Sequence, residues 1–125
     1  MSIQTITATL DRLKKVDGVQ TILVVDRDGL LIAKASGQDN TSSEQLASLF
    51  ARAIHSVERS PQMAAPEGND RIEQMIIERS GEERMVMSVT PAFILAVVTA
   101  GPVNLGLIRM EMRDIIETLT PQLGL

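Results

Sequence analysis

The chain of 125 residues has no cysteine, no tryptophan and no tyrosine, and it has one histidine and two phenylalanines. Without cysteine there is no disulfide and no thiolate metal ligand, a composition that fits a reducing compartment. The lone His55 excludes a histidine pair or a two-histidine metal site within one chain. With Phe50 and Phe93 as the only aromatic residues, there is no row of rings on which bases could stack. The net charge is −4, and the basic residues form no polybasic block beyond the pair Lys14-Lys15. Such a chain repels a phosphate backbone and offers no polybasic face to a lipid surface, so neither nucleic acid nor membrane is an expected partner. No apolar run reaches the length of a membrane span; the longest, Ala92 to Val98, suits a buried strand. The N-terminal stretch MSIQTITATLDRLKK does not read as a signal peptide. No Gly-rich loop ending in Lys-Ser or Lys-Thr occurs, so no P-loop nucleotidase is expected.

What is present is a dense aliphatic pattern, apolar residues making up 44% of the chain. A chain of this length reads as one domain over residues 1–125 with enough material for a core. Ile3, Ile6, Leu10, Leu13 and Val16 recur at spacings of three and four and predict a helix from about Ser2 to Lys15. Gly18 fits its end. Then VQTILVVD and LLIAKA predict two strands joined at Asp28-Gly29, whose positive φ angles suit a tight hairpin. The unalternating run Ile22 to Val25, and Leu30 to Ile32 beside it, predict strands covered on both faces.

A loop is expected over Gly37 to Ser43, followed by a helix from Ser42 to about Arg59. Thr41 and Glu44 are spaced as a capping box, and Leu46, Leu49, Phe50, Ala53, Ile54 and Val57 form the expected buried face. Ser60 to Asp70, with two prolines and a glycine, reads as a linker. Three strands are predicted over Arg71–Arg79, Arg84–Val89 and Phe93–Thr99, with turns at Ser80-Gly81-Glu82 and Thr90-Pro91. The last is apolar throughout and expected to be central. Asn104 is the expected N-cap of a final helix, Leu105 to Leu119, ended by Pro121. The order is α-β-β-α-β-β-β-α, an α/β (α+β) arrangement in which three helices sandwich a five-stranded antiparallel sheet.

Chemistry is sparse. Asp26, Asp28 and Gly29 resemble the opening of a calcium loop, but the remaining ligands and the distal Glu are missing, and a hairpin turn explains them. Ser42 and Ser43 have no basic partner in sequence and suit a helix start. Asn104-Leu105-Gly106 opens a helix, where an anion can bind, yet the flanking leucines favour packing. No nucleophile–base pair or metal set can be assembled, so neither an enzyme nor a cofactor is expected. Ser48, Arg52, His55 and Arg59, at spacings of four, three and four, line the polar side of helix two. Such a row is either an ordinary solvated face or a surface for a partner. The strand beginning near Arg71 follows a long linker and belongs at a sheet edge. Met75, Ile76 and Ile77 on an open edge are an aggregation hazard, and pairing with the same strand of a second copy removes it.

Taken together, the hairpin VDGVQTILVVDRDGLLIAKA after helix one, the strand FILAVVT and the helix opening NLGLIRMEMRDII resemble the roadblock family, the domain of roadblock-type dynein light chains and of bacterial MglB-like proteins, over nearly the whole chain. The resemblance implies a roadblock/profilin-like fold and a cytoplasmic, non-enzymatic homodimer joined through the third strand and second helix. It implies a regulator of a small Ras-like GTPase, of the activating type, in bacterial cell polarity or motility, with the paired second helices facing the GTPase. Carried onto this chain, the dimer seam uses Ile72, Met75, Ile76 and Ile77, with Ala47 and Ala51 letting helices approach. The GTPase surface uses Ser48, Arg52, His55 and Arg59. An arginine finger from Arg52 or Arg59 is chemically feasible, but the family acts by repositioning the GTPase's own residues. The alternative is a dimeric adaptor without effect on nucleotide turnover. A small-molecule sensor would need a cavity with convergent polar groups, which the dense Leu/Ile/Val/Met core disfavours.

Overall fold

A computed structural model describes residues 3–36, 40–60 and 72–123. Helix α1 spans Ile3–Lys14 and leads into strands β1 (Val19–Asp26) and β2 (Leu31–Ser36); α2 spans Asn40–Glu58; β3 (Gln74–Glu78), β4 (Arg84–Val89) and β5 (Phe93–Thr99) follow; α3 spans Leu105–Leu119, with a 3-10 turn at Pro121–Leu123. The strands form one antiparallel sheet in the order β2-β1-β5-β4-β3. This is the expected sandwich, α-β-β-α-β-β-β-α, with β5 at its centre and β3 at an edge.

Strand periodicity explains the layers. In β1, Ile22 and Val24 point to one side and Leu23 and Val25 to the other; in β5, Phe93, Leu95 and Val97 oppose Ile94, Ala96 and Val98. Both strands therefore bury consecutive aliphatic residues on two faces, which accounts for their lack of alternation. Ile6, Leu10 and Leu13 of α1 and Ile108, Met112, Ile115 and Leu119 of α3 pack on the first face. Ala47, Phe50, Ala51 and Ile54 of α2 pack on the second. A fully buried aliphatic side chain contributes roughly 1.5–3 kcal/mol, so these two layers dominate stability.

The hairpin between β1 and β2 differs from the expected two-residue turn. Gly29 alone takes positive φ, at +97°, and the β1–β2 register shifts between Val24 and Val25. The amide of Gly29 donates to the Asp26 carbonyl at 3.1 Å and the amide of Asp26 to the Leu30 carbonyl at 2.9 Å. The Asp26 carboxylate accepts from the amides of Asp28 and Leu30, each at 2.9 Å. One acidic side chain thus satisfies the turn amides, as short polar side chains do, and the strand starts only at Leu31. Leu30 is 68% exposed rather than sandwiched, because it sits in the turn and β2 is an edge strand.

Other boundaries move by a few residues. Asn40 to Ser43 begin α2 instead of closing the loop, so Thr41 lies inside the assigned helix; its side chain and the residues 37–39 lie outside those described. Linker residues 61–71 also lie outside them. Asn104 caps α3 as expected, its side-chain oxygen accepting from the Leu107 amide at 3.0 Å. The leucines around Gly106 do not bury it, however: Gly106 and Leu107 are exposed. The Thr90 hydroxyl closes the β4–β5 corner against the Phe93 amide at 2.9 Å.

Candidate interaction surface

The two sheet edges are built differently. Ala33 and Ala35 of β2 are buried, with α1 packed on their face. Strand β3 has no buried residue. Its pairing partners on β4 set the direction of each side chain: Met75 opposite Met87 and Ile77 opposite Met85 face the α2 side, while Ile76 opposite Val86 faces the α1/α3 side. Met75, Ile77 and the preceding Ile72 pack half-buried against the α2-side core. Ile76 is 38% exposed. Ile72 and the three β3 residues expected in a seam thus share the open margin of the sheet.

Ala47 and Ala51 do not. They are 0% and 2% exposed, clamped between α2 and the sheet. A Cβ on Gly29 would come within 3.4 Å of the Ala51 Cβ and the Ser48 Cα, so the hairpin tip lies close against this side of the helix. Their small size serves approach of the sheet to α2 and leaves no surface for a second helix. The outer stripe of α2 is Gln45, Leu49, Arg52 and Ser56, all exposed. Leu49, expected in the buried face, stands 53% exposed among polar neighbours. The signal was in the spacing: Ser43, Ala47, Phe50, Ala51 and Ile54 are buried, and Leu49 falls outside that arc.

Of the polar row on α2, Arg52 and Arg59 project from the surface, and neither has a side-chain hydrogen bond or ion pair among the described residues. Ser48 is half-buried beside Gly29. His55 is anchored: its Nε2 lies 2.9 Å from the Arg27 carbonyl oxygen. A carbonyl only accepts, so Nε2 carries a proton and donates. Arg27 in turn reaches Glu58 Oε1 at 2.6 Å and the Thr90 carbonyl at 3.3 Å. This junction, unforeseen from sequence because its members are 28 to 63 residues apart, ties the hairpin turn, the last turns of α2 and the β4–β5 corner together. It anchors the C-terminal end of α2, the helix that carries Arg52 and is followed by Arg59.

Among the described residues there is no cluster of three or more His, Cys, Asp or Glu able to hold a metal, and no helix long and apolar enough to cross a membrane.

Fold and surface together define a small sandwich whose notable features are an open apolar edge and an exposed α2 face that carries Leu49 and Arg52. Comparison with known proteins gives the same class. Residues 5–99 match the Roadblock/LC7 domain, and the chain belongs to that family. The protein MJ1340 of Methanocaldococcus jannaschii is 32% identical over 107 residues, covering 86% of this chain and 90% of its own. Among solved structures, MglB of Myxococcus xanthus superposes with a TM-score of 0.81 at 25% identity, over 96% of this chain and 88% of the other. A Roadblock/LC7 domain from Streptomyces avermitilis gives 0.81 at 21% identity, over 95% of this chain and 98% of the other. The chain is thus a roadblock-domain protein of the regulator or adaptor kind.

Proposed function

We propose that this protein is a homodimeric, non-enzymatic regulator of a small Ras-like GTPase, of the activating type, similar to MglB. The open β3 edge carries this reading. Three large apolar residues, Met75, Ile76 and Ile77, stand on a strand with a free margin, and an edge of that kind requires cover. A second copy supplies it by antiparallel β3–β3 pairing about a two-fold axis, which extends the sheet and brings the two α2 helices side by side. Leu49, Arg52 and Arg59 from each copy then form one surface, an apolar anchor among cations suited to the acidic and apolar side chains of a partner protein. Ser48 lines its margin, while His55 supports the helix through Arg27 and is a positioning residue. The similarity to MglB supports a GTPase as that partner and a setting in cell polarity or motility.

The test is GTP hydrolysis by a Ras-like GTPase of the same organism, with and without two copies of this protein per GTPase. Faster turnover is the expected result. Binding without acceleration supports the second reading, a structural adaptor, which the same open edge and helix face allow. Neither binding nor acceleration removes the GTPase from the account.

A further inference from the structure

The order of residues along β3 selects how a second strand can lie against it. The ladder with β4 sets which residues keep a free backbone. The Val89 amide donates to the Glu73 carbonyl at 2.9 Å and the Arg79 amide to the Glu83 carbonyl at 2.8 Å, so residues 73, 75, 77 and 79 direct their backbone groups to β4. Backbone direction alternates along an antiparallel strand. Gln74, Ile76 and Glu78 therefore turn theirs to the open side, where no strand of the described residues pairs.

A second copy pairing antiparallel there, about an axis normal to the sheet, keeps the α2 sides of both sheets together. Only slips by an even number of residues preserve that match of faces. The registers that overlap the strand best are centred on Met75, Ile76 or Ile77. Centred on Met75, the register sets Glu73 against the partner's Ile77 and Glu78 against the partner's Ile72. Centred on Ile77, it sets Ile76 against the partner's Glu78 and Met75 against the partner's Arg79. Centred on Ile76, it sets Ile76 against its own copy, Met75 against the partner's Ile77, Gln74 against the partner's Glu78 and Glu73 against the partner's Arg79. In this register alone apolar meets apolar, and the charges at the two ends are opposite in sign. Both end residues are available. Glu73 is exposed and has no ion pair among the described residues. Arg79, its side chain 65% exposed, holds Glu83 at 3.1 Å within its own turn, an exposed pair of the kind that contributes little.

We propose that Ile76 lies on the two-fold axis and that Glu73 pairs with the partner's Arg79 at both ends of the seam, so that β3 selects a second copy of this chain in one register. This rests on the β3–β3 dimer of the proposed function and adds the means by which that dimer is specified. Residues 73, 75, 77 and 79 form the close, non-hydrogen-bonded pairs across the seam, with Cα atoms about 4.5 Å apart. Opposite charges at that spacing attract and like charges repel directly. A strand with another order of charges would meet a like charge or set a glutamate against an isoleucine.

The chain has no cysteine, so single-cysteine variants of the full chain report the register. With oxidised glutathione, Ile76→Cys should give a disulfide-linked dimer, because a residue on the axis faces its own copy with Cα atoms about 5.5 Å apart. Met75→Cys and Ile77→Cys set their thiols on the diagonal, about 7–8 Å apart, and should link at least about tenfold more slowly. Faster linking at either of these than at Ile76→Cys overturns the register. Sedimentation velocity at graded concentrations reads the ion pairs. Glu73→Arg alone and Arg79→Glu alone should each raise the dimer dissociation constant at least about tenfold, since the axis sets like charges opposite each other twice. An equimolar mixture of the two variants should recover dimers of wild-type affinity, because every charge then meets its opposite. Both residues are exposed, and recovery on mixing also shows that the variants fold. A mixture that dimerises no better than its components overturns the proposal while a wild-type dimer keeps the regulator reading; a monomeric wild-type chain overturns both.

Discussion

The two edge strands of one sheet have opposite designs. Strand β2 carries the small Ala33 and Ala35 beneath α1, with the half-buried Lys34 between them. A lysine and small residues are common means of closing an edge to strangers. Strand β3 carries Met75, Ile76 and Ile77 and buries none of them fully. The contrast shows that apolar content alone does not mark a finished core. Apolar residues of β2 lie under α1 on one edge of the sheet, while those of β3 remain partly open on the other.

The largest expected effect separates these roles. Leu10→Ala removes a side chain that is 0% exposed in the α1/α3 core and should destabilise the protomer by about 2–5 kcal/mol. Urea unfolding should show that loss independently of protein concentration. A loss under 1 kcal/mol would mean that α1 does not form the cover assigned to it. Ile76→Lys is the counterpart on β3. The protomer should still fold, since this side chain is partly exposed, but the dimer dissociation constant should rise at least about a hundredfold, or roughly 2.7 kcal/mol. Sedimentation at graded concentrations reads it, and undisturbed dimers of normal stability would show that Ile76 is not in the seam.

Next comes the junction that holds α2. Arg27→Ala leaves Glu58, its 2.6 Å partner, without its cation in a half-buried site and should cost about 1–2 kcal/mol. A thermal melt that does not move would show the junction to be idle. The smallest effect concerns the turns that open each hairpin. Arg79 and Glu83 bond as Asp26 and Leu30 do, the Arg79 amide donating to the Glu83 carbonyl at 2.8 Å. The residue with positive φ there is Glu82, at +66°, where the first turn has Gly29. Glu82→Gly relieves that strain and should stabilise by about 0.5–1 kcal/mol. A loss of stability would mean that the Glu82 side chain contributes more than its backbone costs.

Much of this was legible in the sequence, and the misses have physical reasons. Helical spacing located the three α-helices and apolar runs bounded by turn residues located the five strands, whereas the 3-10 turn at Pro121–Leu123 was not foreseen; the length of linker before β3 pointed to an edge. The continuous runs in β1 and β5 marked the centre of the sheet. Leu30 was misread because an apolar residue beside a strand looks like strand until the Asp26 side chain is seen to close a longer turn. Ala47 and Ala51 were misread because small residues on a helix fit equally well against a sheet or a second helix. Leu49 was misread because every large apolar residue of α2 was assigned inward without fixing the arc. The Arg27–Glu58–His55 junction has no local signature, since its members meet only after the chain has folded.

The proposed function stands on completion of β3 by a second copy of the chain. Sedimentation velocity at micromolar concentration tests it most directly. The expected result is a single species of twice the 13.6 kDa chain mass that Ile76→Lys converts to a folded monomer. A wild-type chain that sediments as a stable monomer would contradict it.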